Sequence, residues 1–251
     1  MYYENRGKIK YHGCSCPFSV AQISIITLYF INIALFSIFW IPAFAFSTAL
    51  LVIGIVFFYL LNIAEGVIYI IACATKTTDP QLYAKRRSER NNENKNKSIS
   101  IKMDDSKFKF CKKCNSYCSI NSYHCNHCNR CTLNYNHHWF LINNCVSSRN
   151  YSLFIVLLIL GLLSSAFQIA MMIVFYGCVK YFVTKNLINA YRNDITILSS
   201  FFIAFIVLTN ALLLIYFFSK LLYHIFLGCK GIPTHHYEMR YIDTKKQIKA
   251  V

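Results

Sequence analysis

Charge is scarce in this chain, and acid is scarcer than base. Of 251 residues only 14% are Asp, Glu, Lys or Arg, with 10 acids against 26 bases. Soluble domains carry roughly 25% charged residues, so an ordinary soluble enzyme is excluded. Glycine and proline are few as well, eight and four, which excludes a collagen-like or other fibrous repeat. A hydrophobic content of 56% excludes a disordered chain. Charge is missing most completely from certain stretches. Between Phe18 and Ala74 the only charged residue is Glu65, and none occurs from Asn150 to Val179 or from Ile195 to Ser219. Apolar runs of that length are membrane spans, at about 20 residues each. The first run is long enough for two, with a turn expected at Trp40-Ile41-Pro42-Ala43. Four spans are therefore expected, at 18–40, 46–73, 152–179 and 196–222. No cleavable leader is expected, because the first apolar run is too long for one. Residue 2 is Tyr, which rules out N-myristoylation.

Four spans put 1–17, 75–149 and the residues after span four on one side of the membrane. Of the 26 bases, 23 fall there, and only Lys180, Lys185 and Arg192 fall on the other side. Positive charge stays cytosolic, so both termini and the central loop are expected in the cytosol. The net charge of +16 is then a topology and membrane-surface signal, and no nucleic-acid partner is expected. The segment Lys85–Lys97, KRRSERNNENKNK, reads as a solvated linker whose bases face water or anionic lipid headgroups. Glu65 is the one acid inside an expected span, a position that in some membrane proteins marks a transport path.

Cysteine is the residue in excess. Twelve are present, seven of them between Cys111 and Cys145, a clustering that with His indicates metal ligation. The pattern Cys111-x2-Cys114-x9-His124-x6-Cys131 recurs as Cys125-x2-Cys128-x9-His138-x6-Cys145. Every ligand of the second set lies 14 residues after its counterpart, and the sets interleave. Three thiolates and one imidazole make a closed tetrahedral shell for structural zinc. Two zinc ions are expected, either in two such shells or in an all-cysteine site plus a mixed one. Residues 75–149 are poor in apolar side chains, so metal binding would supply the folding free energy of this small module. Cys118, His127 and His137 fall outside both sets. His137 stands beside the ligand His138, where a rigidly placed imidazole can serve as a general base.

This arrangement resembles the protein S-palmitoyltransferases, the Asp-His-His-Cys zinc-finger family. The resemblance rests on the four-span layout, on all eight ligand spacings, on Asn144-Cys145-Val146 and on Asn150-x3-Phe154. Thr78-Asp79-Pro80-Gln81 is similar to the family's Asp-Pro-Gly motif, and His235-His236-Tyr237-Glu238 keeps the Glu of its Thr-Thr-x-Glu motif. It implies an all-α polytopic membrane fold: four transmembrane helices with a small zinc-bound module in the cytosolic loop between the second and third. The expected divisions are 1–17, a cytosolic N-terminus; 18–74, spans one and two; 75–110, a basic linker; 111–150, the double zinc module; 151–222, spans three and four; and 223–251, a cytosolic C-terminus. The resemblance also implies transfer of a fatty acyl group from acyl-CoA (palmitoyl-CoA) to cysteines of cytosol-facing membrane proteins, with the spans converging on a cone that holds the acyl chain.

The departures fall where the chemistry would be. Where the family has Asp-His-His-Cys-Pro-Trp, this chain has Asn136-His137-His138-Trp139-Phe140-Leu141. The nucleophilic Cys is replaced by Trp139, whose indole forms no thioester. The orienting Asp is replaced by Asn136, which carries no charge to stabilise an imidazolium. The family's Lys-Pro-x-Arg is Cys118-Ser119-Ile120-Asn121, and the Gly after the last ligand is Ser147. Cys14, Cys16 and Cys229 flank spans and read as acylation sites or ordinary juxtamembrane thiols rather than catalysts. Two functions stay open: an acyltransferase using His137 as base without a covalent intermediate, and a non-catalytic, zinc-stabilised scaffold for a partner or lipid. Trp139 is expected to close the mouth of the cone.

Overall fold

A computed structural model describes residues 9–40, 48–91, 106–184 and 193–249. The expected turn at Pro42 and the linker beyond Asn91 lie outside the described residues. Among the described residues, six helices and six short strands occur in the order α1 (Val20–Trp40), α2 (Thr48–Ala74), α3 (Pro80–Asn91), β1 (Phe108–Cys111), β2 (Ser116–Ser119), β3 (Ser122–Cys125), β4 (Arg130–Leu133), β5 (Tyr135–Trp139), β6 (Asn144–Ser147), α4 (Tyr151–Thr184), α5 (Asn193–Cys229) and α6 (Thr234–Lys249). Contacts divide the chain into two compact units. One is made of residues 23–69 and 155–225; the other of 1–22, 70–154 and 226–251.

In the first unit α1, α2, α4 and α5 are each long and apolar enough to cross a membrane, so the protein is an integral membrane protein. Their outward side chains, such as Ile53, Phe201 and Leu208, are exposed, as a lipid solvent requires. Inward, Phe36, Phe58, Met172 and Ile206 supply one fully buried residue from each helix, and Phe36 stacks on Phe58 at 3.7 Å between ring centres. Polar side chains also meet there. Asn210 donates to Asn32 Oδ1 at 2.9 Å and to Gln168 Oε1 at 3.3 Å. Such bonds hold spans together where water is absent. The helix α5 runs on to Cys229, past the expected end at 222.

The second unit corrects the all-α expectation. The cysteine-rich region consists of three antiparallel hairpins, β1–β2, β3–β4 and β5–β6. Each Cys-x2-Cys knuckle is a hairpin loop, which turns two sulfurs toward one point. Strands of four or five residues poor in apolar side chains show no periodicity in the sequence, so they were not legible. The loops end on Asn115, Asn129 and Asn143, each left-handed with φ of 49°, 51° and 49°, a conformation Asn tolerates better than most residues. These asparagines are 14 residues apart. The repeat therefore has a third copy, visible once the hairpins are superposed in register. Cys111 pairs with Ser116, Cys125 with Arg130, and Trp139 with Asn144. Trp139 stands in the third hairpin where the first two carry the leading cysteine of the knuckle, and Ile142 stands where they carry the second.

The basic segment is not all tether. Residues up to Asn91 form α3, whose Leu82 is fully buried against Cys114, Cys118 and Cys131. Asp79 starts this helix. Its Oδ1 accepts from the backbone of Gln81 and Leu82, at 2.9 and 3.2 Å, and its Oδ2 from Ser119 N and Ser122 Oγ, at 3.0 and 2.6 Å. One carboxylate thus caps α3 and ties it to two hairpins. Asp79→Ala is expected to destabilise this unit by about 2–4 kcal/mol, since a cap and two charge-assisted bonds are lost together. Hydrogen exchange of β2 and β3 amides measures it; unchanged protection would contradict the role.

Candidate active site and metal centres

The eight expected ligands converge in two groups. Cys111, Cys114, His124 and Cys131 place their ligand atoms within 4.8 Å of one another, and Cys125, Cys128, His138 and Cys145 do the same. The grouping is three sulfurs and one imidazole each. Cys114 and Cys131 sulfurs are 3.6 Å apart, Cys128 and Cys145 sulfurs 3.5 Å, far beyond the roughly 2 Å of a disulfide. The His Nδ1 atoms lie 3.2 and 3.8 Å from Cys114 and Cys111 in one group, and 3.4, 3.7 and 4.0 Å from Cys128, Cys125 and Cys145 in the other. A tetrahedron with metal–sulfur bonds of about 2.3 Å has edges of about 3.8 Å. The residues present fit such an ion in both groups.

The clustered thiols perturb one another's ionisation. Cys114 is held down to about 4, first by its hydrogen bond with Cys131 and then, against burial, by His124. The same bond with Cys114 pushes the Cys131 thiol far up. In the second group Cys125 is held far below the ordinary thiol range by hydrogen bonds from Cys128 and Cys145, while its own hydrogen bond raises Cys128 to about 11. Full ionisation of three touching thiols calls for a divalent cation at their centre.

The strand β5 delivers both a ligand and the site. Successive residues of a strand point to opposite faces. His138 joins the second metal group, while His137 and Trp139 share the other face and both pack on Phe154 in the first turn of α4. Their ring centres lie 5.2 and 4.9 Å from that of Phe154. Trp139 is 7% exposed. Asn136 falls at an irregularity in the β5–β6 register, between Tyr135 and His137. Its Oδ1 accepts the backbone N–H of Thr234 at 2.8 Å, so it anchors the start of α6. His235 follows, between Tyr123 and Tyr135 with ring centres at 4.2 and 5.4 Å. Burial first, then His236 and Lys109, keep its pKa below the ordinary histidine value. Sequence reasoning assigned no role to Thr234, since a backbone donor leaves no trace in side-chain identity.

The remaining residues sort plainly. Cys118 is fully buried in β2, within the apolar cluster under the first group. His127 packs on the ligand His138, ring centres 4.9 Å apart. Cys14, Cys16 and Cys229 are exposed. Asn144, recognised in the sequence only as part of a motif, caps the C-terminal end of α2, its Nδ2 donating to the carbonyls of Ala72, Cys73 and Thr75. Gly13 fits against Ile142 and Cys73 so closely that a Cβ there would meet the Ile142 carbonyl.

The fold and the site together define a membrane protein with two cysteine-histidine clusters that could hold metal ions. The family model for the DHHC palmitoyltransferase matches residues 104–241, over half the chain, and the protein belongs to that family. No curated protein sequence matches it.

Proposed function

We propose that this protein is a divergent palmitoyltransferase-family member that holds two structural zinc ions and does not form an acyl-enzyme. The observation that carries this is Trp139, buried on Phe154 in the place of the family's nucleophile. An indole offers no thiolate, and its ring fills the space a thioester would need. The neighbouring groups are equally altered. Asn136 accepts from the backbone of α6 and brings no negative charge to His137, whose role as base is thereby weakened. An Asp-to-Asn change in a comparable relay lowers turnover by about 10⁴ in the serine proteases. In this reading the module serves as a scaffold that engages a lipid or a cysteine-bearing membrane protein at the cytosolic face. The eight ligands Cys111, Cys114, His124, Cys131, Cys125, Cys128, His138 and Cys145 hold the zinc ions.

The test is labelled palmitoyl-CoA given to the purified protein. Wild type is expected to take no label beyond that on exposed thiols, so a Cys14→Ser/Cys16→Ser/Cys229→Ser variant is expected to take none. Hydroxylamine-sensitive label that persists in that variant and disappears on His137→Ala would show an active enzyme, and acyl-CoA would then be its co-substrate.

Both termini and the hairpin module are placed in the cytosol in this reading, on the strength of 23 bases against three. A glycosylation acceptor inserted near residue 95 is expected to stay unmodified, while one near residue 188 is expected to be glycosylated when the chain is made in a glycosylating membrane. The reverse pattern would invert the topology.

A further inference from the structure

Arg130 is completely buried, yet among the described residues no carboxylate pairs with it, the ion pairs there being Lys85 and Arg86 with Glu89. Its guanidinium donates to neutral oxygens only. One Nη reaches Thr77 Oγ1 and Asn144 Oδ1, both at 2.8 Å, and the other the Lys10 carbonyl. Its Nε is buried without an acceptor. A buried charge of this kind costs several kcal/mol unless an opposite charge lies close by. Of the three ligand cysteines beside Arg130 in the hairpin, Cys125, Cys128 and Cys131, two belong to the second metal group. Arg130 stands between Cys128 of the second group and Cys131 of the first, pairs across the hairpin with Cys125 of the second, and donates to the Lys10 carbonyl, whose own N–H reaches the Cys128 carbonyl.

We infer that Arg130 is the counter-ion of the second metal centre, and that it selectively retains the ion there. This rests on the two-zinc reading. A divalent ion with three thiolates and a neutral imidazole carries one net negative charge, and the guanidinium cancels it. The first centre is built differently. The residue 14 positions earlier, at the same place in its hairpin, is Ser116. Among the cations near that centre, Arg86 donates to the Cys114 carbonyl at 3.2 Å but is partly exposed and already paired with Glu89. The two centres, alike in ligands, therefore differ in how their charge is balanced.

The same guanidinium makes the second centre part of a larger joint. Asn144, which accepts from Arg130, caps α2. Lys10, whose carbonyl also accepts from Arg130, donates its own N–H to the Cys128 carbonyl at 3.1 Å. The residues before α1, the end of α2, and the second and third hairpins thus meet on one buried cation.

The test uses the full-length protein in detergent, with zinc counted per chain, transfer of each ion to a chromogenic chelator timed, and newly released thiols mapped by alkylation. Wild type is expected to hold two ions. Arg130→Met is expected to release one of them about 10- to 100-fold faster, the usual effect of removing an outer partner of a metal ligand, with Cys125, Cys128 and Cys145 alkylated first. Arg130→Lys keeps the charge and is expected to release both ions slowly, as is Thr77→Val, which removes a neutral hydroxyl that accepts from Arg130 and donates to Asn144. Arg86→Gln is expected to leave both rates unchanged. Should Arg130→Met not accumulate, Arg130→Gln, which keeps a donor toward Asn144, is read in its place; should neither accumulate, Arg130→Lys decides. Unchanged release in the neutral variants, or release from Thr77→Val or Arg130→Lys as fast as from a neutral variant, would overturn the charge assignment; so would fast release from Arg130→Lys when it decides alone. A wild-type count below two would instead overturn the two-zinc reading.

Discussion

Replacing Cys125 with serine is expected to unfold the whole cysteine-rich module, and zinc per chain should fall from two to well below one. The interleaving of the ligands makes the effect this large. Strand β3 ends with His124 of the first group and Cys125 of the second, and Cys131 of the first lies between Cys128 and His138 of the second. Neither centre has a hairpin pair of its own. Among the described residues, the apolar clusters packed around them consist of Leu82, Cys118, Tyr135 and the cysteine ligands themselves. Structural zinc contributes about 10–16 kcal/mol of folding free energy in comparable small modules, and nothing else here approaches that sum. Elemental analysis and protease sensitivity at residues 106–147 provide the readout. A serine variant that stays resistant and keeps one full ion would show that the first centre folds independently.

The paired change Trp139→Cys with Asn136→Asp is expected to convert an unlabelled protein into one that takes up to one acyl group per chain from palmitoyl-CoA. It is to be made where Cys14, Cys16 and Cys229 are already serine. A thiol at 139 falls on the same face of β5 as His137, two residues away on a strand, so base and nucleophile share one side of the sheet. An aspartate at 136 keeps the bond from Thr234 N–H and gains from it, because a carboxylate at the start of α6 faces the positive end of the helix dipole. The label should be released by hydroxylamine and abolished by His137→Ala. Removing the indole also loses its packing on Phe154, about 3–5 kcal/mol for a buried Trp. The zinc count of the variant must therefore be two before its labelling is read. Failure to label with both ions in place would mean that the site has lost acyl-CoA recognition as well as its nucleophile.

The positions aligned with the family's histidine and nucleophile share strand β5 with one candidate metal ligand, so a change at position 139 leaves the ligand set in place. His138 serves the fold from one face of β5, and its loss would cost the second centre. His137 and Trp139 serve the site from the other. Exchange of the nucleophile for an indole leaves every ligand spacing untouched and adds apolar contact with Phe154.

The amino-acid sequence by itself determined the features that local chemistry dictates. Four long runs with almost no charge read as spans, since each charge inside a bilayer costs several kcal/mol. Eight ligands at a doubled spacing identify metal sites, because metal bonds fix residue type as well as interval. The loss of the nucleophile at Trp139 is equally local. Tertiary structure alone decided which of the eight residues converge into a group that could hold an ion, since spacing permits more than one grouping. It also decided that the ligand region is three hairpins, because strands this short bury too little apolar surface to leave a periodic pattern. The third hairpin copy, with Trp139 and Ile142 where ligands stand in the others, was hidden for the same reason: what repeats there is backbone register, not residue type. Arg130 read as one base among 26 in the sequence. Its burial among neutral acceptors exists only once residues 10, 77, 130 and 144 have been brought together, and the burial of a charge is a property of that packing alone.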